Sequence, residues 1–100
     1  MTRADALVSI NIPCYQQLDL ARRALASVRA QTYSHLDITL LDDGASEEYR
    51  RYVESLGDPR VRYHRNPERL GAMRNMFSAI TFGRGELVMA FHEDGAVASI

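Results

Sequence analysis

The stretch that most constrains the fold is Leu36 to Gly44, with the sequence LDITLLDDG. Its apolar run, Ile38 to Leu41, ends in two adjacent carboxylates, Asp42 and Asp43, and a glycine follows them. A buried parallel strand whose carboxyl end opens onto a ligand crevice has this pattern. The alternative is a polar turn that only closes a strand, because Asp and Gly are common turn residues. The rest of the chain decides between the two interpretations.

Strand patterns and helix patterns alternate along the whole chain. The predicted strands are Leu7–Pro13, Leu36–Leu41, Val61–His64 and Leu87–Phe91. The first helix is predicted from about Leu18 to Gln31, the second after the N-cap Ser46, and the third after Gly71. Apolar residues at helical spacing predict three buried stripes: Ala21, Ala24, Leu25 and Val28; Tyr49, Tyr52, Val53 and Leu56; Met73, Met76, Phe77 and Ile80.

This βαβαβαβ pattern predicts an α/β fold with an open, mostly parallel sheet and helices on both faces. The expected strand order is 3-2-1-4, so that strands one and four are neighbours and the winding reverses between them. Ligands bind at such a point, at the carboxyl ends of the strands. The polar residues that follow the strands are expected to collect at that edge: Tyr15, Asp42, Asp43, Glu93 and Asp94.

Composition excludes several classes of protein. One hundred residues make a single domain, 1–100, or part of a larger one, and a net charge of −1 offers no basic field for nucleic acid. All twelve cationic side chains are Arg, which excludes a Schiff-base lysine, a P-loop lysine and the lysine of a receiver-type phosphoswitch. The single cysteine, Cys14, indicates a reducing, cytoplasmic setting, and no apolar stretch is long enough for a transmembrane segment. The loop after the first strand has no glycine, so the dinucleotide fingerprint is absent.

Five blocks together resemble the N-terminal half of a family 2 glycosyltransferase with the GT-A fold. They match that family in order and spacing over nearly the whole chain, and they are VSINIPCYQQ, AQTY, LLDDG, VRYHRNPERLGAMRN and GELVMAFHEDG. The resemblance implies a Rossmann-like half-domain that binds a nucleotide-diphosphate sugar, UDP- or dTDP-linked. It also implies a glycan or other hydroxyl acceptor that a later part of such a domain would bind.

The resemblance assigns nucleotide-binding roles to Pro13, Tyr15, Asp43 and Arg74. Pro13 and Tyr15 would line the base pocket, with Tyr15 stacking on uracil, and Asp43 would accept a hydrogen bond from a base N–H. Asp42 is instead expected to be structural and to anchor backbone amides of the neighbouring loop. Arg74 would lie near the diphosphate at an early helix position. The alternatives are a Tyr15 that packs under the first helix and an Arg74 that is simply solvated.

His92-Glu93-Asp94 resembles the acidic DxD element that holds a divalent metal, Mg²⁺ or Mn²⁺, against the two phosphates. Asp94 aligns with the main ligand and Glu93 with a supporting acid. Two departures stand against the pattern, since His92 replaces the usual first Asp and Gly95 stands where another Asp often follows.

The resulting hypothesis is the donor-binding half of an inverting, metal-dependent glycosyltransferase of polysaccharide biosynthesis. Its catalytic base is expected beyond residue 100, and the apolar end, Ala96 to Ile100, suggests a truncated domain that is inactive alone. The rival hypothesis is a non-catalytic nucleotide-binding or interaction module that lacks an acceptor half. The fourth strand is expected to have one bare edge, which predicts self-association.

Overall fold

The computed structural model describes residues 6–16, 18–44, 46–83 and 85, and the backbone of 87–91 and 97–99. Eight elements follow one another in these ranges: β1 (Val8–Cys14), α1 (Leu18–Arg29), β2 (Leu36–Asp42), α2 (Glu47–Leu56), β3 (Val61–Arg65), α3 (Ala72–Thr81), β4 (Leu87–Phe91) and β5 (Val97–Ser99). None of the helices in the described ranges has the length and apolarity that crossing a membrane requires.

The strands form one five-stranded sheet in the order β3-β2-β1-β4-β5. The pairs among β1 to β4 are parallel, whereas β4 and β5 are antiparallel. The predicted α/β class and the mostly parallel sheet are confirmed, with the first four strands in the order 3-2-1-4. The expectation that one edge of β4 has no partner is wrong, because β5 pairs with it. The predicted self-association is therefore no longer supported by a bare edge of β4, and it stays a prediction.

The two faces of the sheet have different characters. On one face, α1 and α2 pack on Ile10, Ile12 and Leu40 in a large apolar core, and the predicted stripe of α1 is buried as expected. On the other face, α3 packs on Leu41 and Asn11, and the buried side chains of β1 and β2 on that face include the polar residues Ser9, Asn11, Asp37 and Thr39. The predicted helices on both faces are therefore confirmed, but only one face is an ordinary apolar core.

The predicted buried stripe of α3 is wrong at Met73 and Phe77, whereas Met76 and Ile80 are half-buried and pack against Leu41 and Ala79. Met73 is 73% exposed and Phe77 is 64% exposed, whereas Asn75 and Ala79 are the buried residues of the helix. The polar sheet face explains this rotation. Asn11, which periodicity alone left unexplained, donates from Nδ2 to the carbonyl oxygens of Ala79 and Phe82, each at 2.7 Å. These bonds satisfy carbonyls at the end of α3 and hold that end to β1.

Candidate nucleotide-binding site

The site lies at the carboxyl edge of the parallel strands, where register aligns three chain segments. Cys14 of β1 pairs with Asp42 of β2, and Asp42 pairs with Arg65 of β3. The next residues, Tyr15, Asp43 and Asn66, therefore leave the sheet side by side. Of the residues predicted to meet at this edge, the structure describes Tyr15, Asp42 and Asp43, and it brings them together.

Asp42 is the structural member of the acidic pair. Its side chain is fully buried and accepts hydrogen bonds from the backbone N–H of Gly44 at 2.8 Å, from that of Ser46 at 2.7 Å and from the Tyr63 hydroxyl at 2.6 Å. Burial and the hydrogen bond to Asp42 raise the pKa of Tyr63, so this phenol stays a donor at neutral pH. The prediction that Asp42 is structural and anchors backbone amides is confirmed, but these amides belong to the loop that directly follows Asp42 and not to a neighbouring loop.

Asp43 holds the loop between β3 and α3. Its Oδ1 accepts from Asn66 Nδ2 at 2.9 Å and from the Leu70 backbone N–H at 2.7 Å, while Oδ2 accepts from the Gly71 backbone N–H at 2.9 Å. Burial alone would raise the pKa of Asp43, but these hydrogen bonds and the Arg69 charge outweigh it and hold the pKa below its usual value. The side chain is only 2% exposed and is ionised at neutral pH. Oδ1 already accepts two hydrogen bonds and Oδ2 accepts one. An N–H from a ligand could therefore be accepted only at Oδ2.

Two buried asparagines, Asn66 and Asn75, join Asp43 in a hydrogen-bonded frame, the Asp43–Asn66–Asn75 frame. The periodicity of the sequence predicts neither asparagine. Asn66 donates from Nδ2 to Asn75 Oδ1 at 2.9 Å as well as to Asp43, and Asn75 donates to the Leu41 carbonyl oxygen at 3.3 Å. Asn66 also donates its backbone N–H to the Asp42 carbonyl oxygen. The ends of β2 and β3 and the first turns of α3 are thus joined through buried amides, which makes the base of the site rigid.

Tyr15 is half-buried, and Arg69 covers one face of its ring. The guanidinium carbon of Arg69 lies 4.0 Å from the ring centroid, within cation–π range. Gly44 lies against the ring, since an added Cβ there would be 3.1 Å from Tyr15 Cδ1. The sequence did not single out Arg69, although it falls inside the RNPERLGAMRN block.

Pro13 lies within β1 and does not end it, contrary to the expectation that it stops the strand. The described pairing of β1 with β4 ends at Asn11, so Pro13 faces only β2, opposite Leu41. A residue without a backbone N–H is tolerated at such a half-paired position. Pro13 is buried, and its predicted role in lining the base pocket stays a prediction.

Arg74 is exposed in the first turn of α3. The residue before the helix is Gly71, with φ of 87°, so no side chain caps the leading amides, and no acid stands in the first turn. The amides of the first turn beside this cation suit an anion, next to the Gly71 N–H that already donates to Asp43. The contact of Arg74 with a diphosphate stays a prediction.

Asp94, Glu93 and His92, the predicted metal element, lie outside the described residues. Within the part of the chain that is described, no three His, Cys, Asp or Glu side chains are grouped as a metal site. The backbone of β4 runs parallel to β1, so Phe91, the last residue of β4, lies towards the edge of the sheet that carries Tyr15.

Comparison with known proteins identifies the family. The model of the family described as "Glycosyl transferase family 2" matches residues 9–99. The chain is 34% identical over 92 residues to the "Putative colanic acid biosynthesis glycosyl transferase WcaA" of Escherichia coli (strain K12), covering 90% of this chain and 33% of that protein. The chain therefore belongs to glycosyl transferase family 2.

Two further proteins extend the comparison. The "UDP-Glc:alpha-D-GlcNAc-diphosphoundecaprenol beta-1,3-glucosyltransferase WfgD" of Escherichia coli is 28% identical over 90 residues, with 90% of this chain and 36% of that protein covered. The solved structure of "Mannosyltransferase PcManGT from Pyrobaculum calidifontis in complex with GDP-Man and Mn2+" superposes with a TM-score of 0.73 at 22% identity, covering 89% of this chain and 28% of that one. This likeness supports the fold. The chain spans about a third of the length of these relatives.

Proposed function

We propose that the chain is the donor-binding half of a metal-dependent, inverting glycosyltransferase that uses a UDP- or dTDP-linked sugar. In this reaction the bond between the anomeric carbon and the diphosphate oxygen breaks, and an acceptor hydroxyl forms the new bond from the opposite side. The acceptor proton goes to a carboxylate beyond residue 100. The observation that carries the proposal is the row of Tyr15, Asp43 and Asn66 at one sheet edge, in a chain of glycosyl transferase family 2.

Base recognition falls to Tyr15, Asp43 and Pro13. An ionised carboxylate is only an acceptor, so Asp43 selects a base that presents an N–H towards it. Uracil and thymine present the ring N3–H, and guanine presents N1–H. Tyr15 offers the aromatic surface beside this acceptor, and Pro13 is buried two residues before Tyr15. The names of the relatives include both UDP-Glc and GDP-Man, so the nucleotide is the feature to test first.

Arg74 and the first turn of α3 are proposed to bind the diphosphate. Arg74 provides a permanent positive charge, and the uncapped amides of residues 72–74 point out of the same end of the helix. Together they would neutralise the leaving diphosphate as its charge develops. Because the Asp43–Asn66–Asn75 frame holds this helix end, the phosphate site and the base site share one rigid support.

The metal site is proposed on Asp94, with Glu93 in support. Carboxylate oxygens suit Mg²⁺ or Mn²⁺, and the mannosyltransferase of similar fold was solved in complex with Mn²⁺. Such an ion would act as a Lewis acid on the departing diphosphate. The donor set on this chain is small, so metal and nucleotide should each strengthen the binding of the other. We place the reaction in the cytoplasm, on the ground of the single cysteine Cys14.

The experiment is calorimetric titration with UDP, dTDP, GDP and CDP, each with Mn²⁺ and with EDTA, for the wild type and Asp94→Asn. We expect UDP or dTDP to bind best and Mn²⁺ to strengthen binding in the wild type. In Asp94→Asn this enhancement should largely vanish while binding in EDTA is unchanged, because the substitution removes only a charged ligand. Equal enhancement in both proteins would show that Asp94 is not a ligand. Nucleotide binding without any effect of metal would favour the non-catalytic module.

A further inference from the structure

The surroundings of Arg69 bear on how a base enters the site. Its guanidinium touches two groups at once: it lies over the Tyr15 ring at 4.0 Å, and its Nε is 3.8 Å from Asp43 Oδ2. These are the two groups to which the proposed function assigns the nucleobase. A flat group that stacks on the same face of the Tyr15 ring as Arg69 and donates an N–H to Asp43 Oδ2 would lie where the guanidinium now lies.

The chemistry of the two occupants is similar. A guanidinium is planar, carries N–H donors in its plane and stacks on aromatic faces. An imide base is also planar, stacks, and presents an N–H beside a carbonyl. Asp43 has capacity left only on Oδ2, the atom that Arg69 approaches, because Oδ1 already accepts from Asn66 and Leu70. One movement of the Arg69 side chain would therefore free both the ring face and this lone-pair site.

Arg69 is also free to move without disturbing the loop. Its side chain is 60% exposed, and the loop is held instead by backbone N–H groups of Leu70 and Gly71 on Asp43. The Nε–Oδ2 distance of 3.8 Å is an ion-pair contact and is too long for a hydrogen bond. The Arg69 side chain is thus held by two weak contacts, while the two residues that follow it are held by hydrogen bonds from their backbone N–H groups.

We propose that the Arg69 side chain occupies the place of the nucleobase in the free protein and leaves it when a nucleotide binds. The inference rests on the proposed function, and it makes Arg69 a built-in competitor of the base. Affinity for the base is then reduced by the fraction of molecules in which Arg69 is stacked. For a solvent-exposed cation–π contact this reduction is about threefold to sixfold.

The test is an NMR titration with uridine, which has no phosphate and so reports on the base site without attraction between phosphate and arginine. It compares the wild type with Arg69→Met, which keeps the length of the side chain but removes its charge and its N–H donors. The charge control is Arg23→Met, at an exposed arginine of α1. We expect Arg69→Met to bind uridine about three to six times more tightly than the wild type, and Arg23→Met to bind as the wild type does.

The same titration also measures the chemical shifts of the Arg69 side-chain protons. In the free wild type, the Arg69 side-chain protons should be shifted upfield by the Tyr15 ring current, and uridine should remove this shift. In Tyr15→Leu the shift should be absent from the start. Unchanged or weaker uridine binding by Arg69→Met, or an Arg69 shift that persists at uridine saturation, would overturn the inference. If the wild type binds neither uridine nor UDP, the proposed function itself fails, which is a different result from UDP binding with no gain in Arg69→Met.

Discussion

We expect Gly85→Ala to lower the free energy of unfolding by about 3 kcal/mol. A Cβ at this position would lie 2.5 Å from the backbone nitrogen of Ser9 and 2.7 Å from the carbonyl oxygen of Leu7. Both atoms belong to the backbone at β1, which lies between β2 and β4 and has little room to shift. The backbone N–H of Gly85 also donates to Ser9 Oγ at 2.7 Å, and this bond would be pushed apart. Urea unfolding of the two proteins measures the difference.

Gly57→Ala is the matched control for that substitution. Gly57 caps α2 with φ of 59°, and an added Cβ there meets nothing within 4 Å. The control therefore contains backbone strain without a clash, and it should cost only about 1 kcal/mol. If Gly85→Ala lost no more stability than Gly57→Ala, the close contact between residue 85 and β1 would be contradicted.

The second large effect is expected at Asp42. Asp42→Ala would leave the N–H groups of Gly44 and Ser46 and the hydroxyl of Tyr63 without their acceptor. A buried donor without a partner costs about 1–3 kcal/mol, and Ser46 is also the N-cap of α2. We expect a total loss of about 3 kcal/mol in the free energy of unfolding.

Two companion variants show whether the loss at Asp42 has this origin. Tyr63→Phe removes one of the three donors and keeps the ring, so it should cost about 1 kcal/mol. Glu47→Ala removes a nearby acid whose ion pairs with Arg50 and Arg65 are exposed, and it should change stability little. Asp42→Ala unfolding at the same urea concentration as Glu47→Ala would show that the buried acceptor does not stabilise the loop.

Much of the fold could be predicted because the apolar face of the sheet obeys simple periodicity. Ala21, Ala24, Leu25 and Val28 of α1 are buried at the predicted positions. The same rule failed at Met73 and Phe77 of α3, because that helix turns Asn75 and Ala79 towards the sheet face around Asn11. The bond from Asn11 to Ala79 joins residues 68 positions apart, and no local pattern reports it. The three-residue strand β5 is likewise too short for periodicity to reveal.

The candidate site was only partly predictable for a related reason. Asp42 and Asp43 follow a strand, and the topology alone predicts where they lie. The side chains that contact Asp43, those of Asn66 and Arg69, come from a loop without periodicity, and their positions follow from contacts that form only in the folded chain. The resemblance marked the block that contains these residues but did not distinguish their roles.

The central claim is that Asp43 is the base acceptor of a nucleotide site at the carboxyl edge of the sheet. The most direct measurement is the UDP affinity of the wild type and of Asp43→Ala by calorimetry. Asp58→Ala is the control. Asp58 also accepts hydrogen bonds from arginines, Arg29 and Arg60, but it precedes β3 and therefore lies at the opposite edge of the sheet. We expect Asp43→Ala to lose about 1.5–3 kcal/mol of binding free energy, or roughly 10- to 150-fold in affinity, while Asp58→Ala keeps the wild-type value. A folded Asp43→Ala protein that binds UDP as tightly as the wild type would contradict the claim.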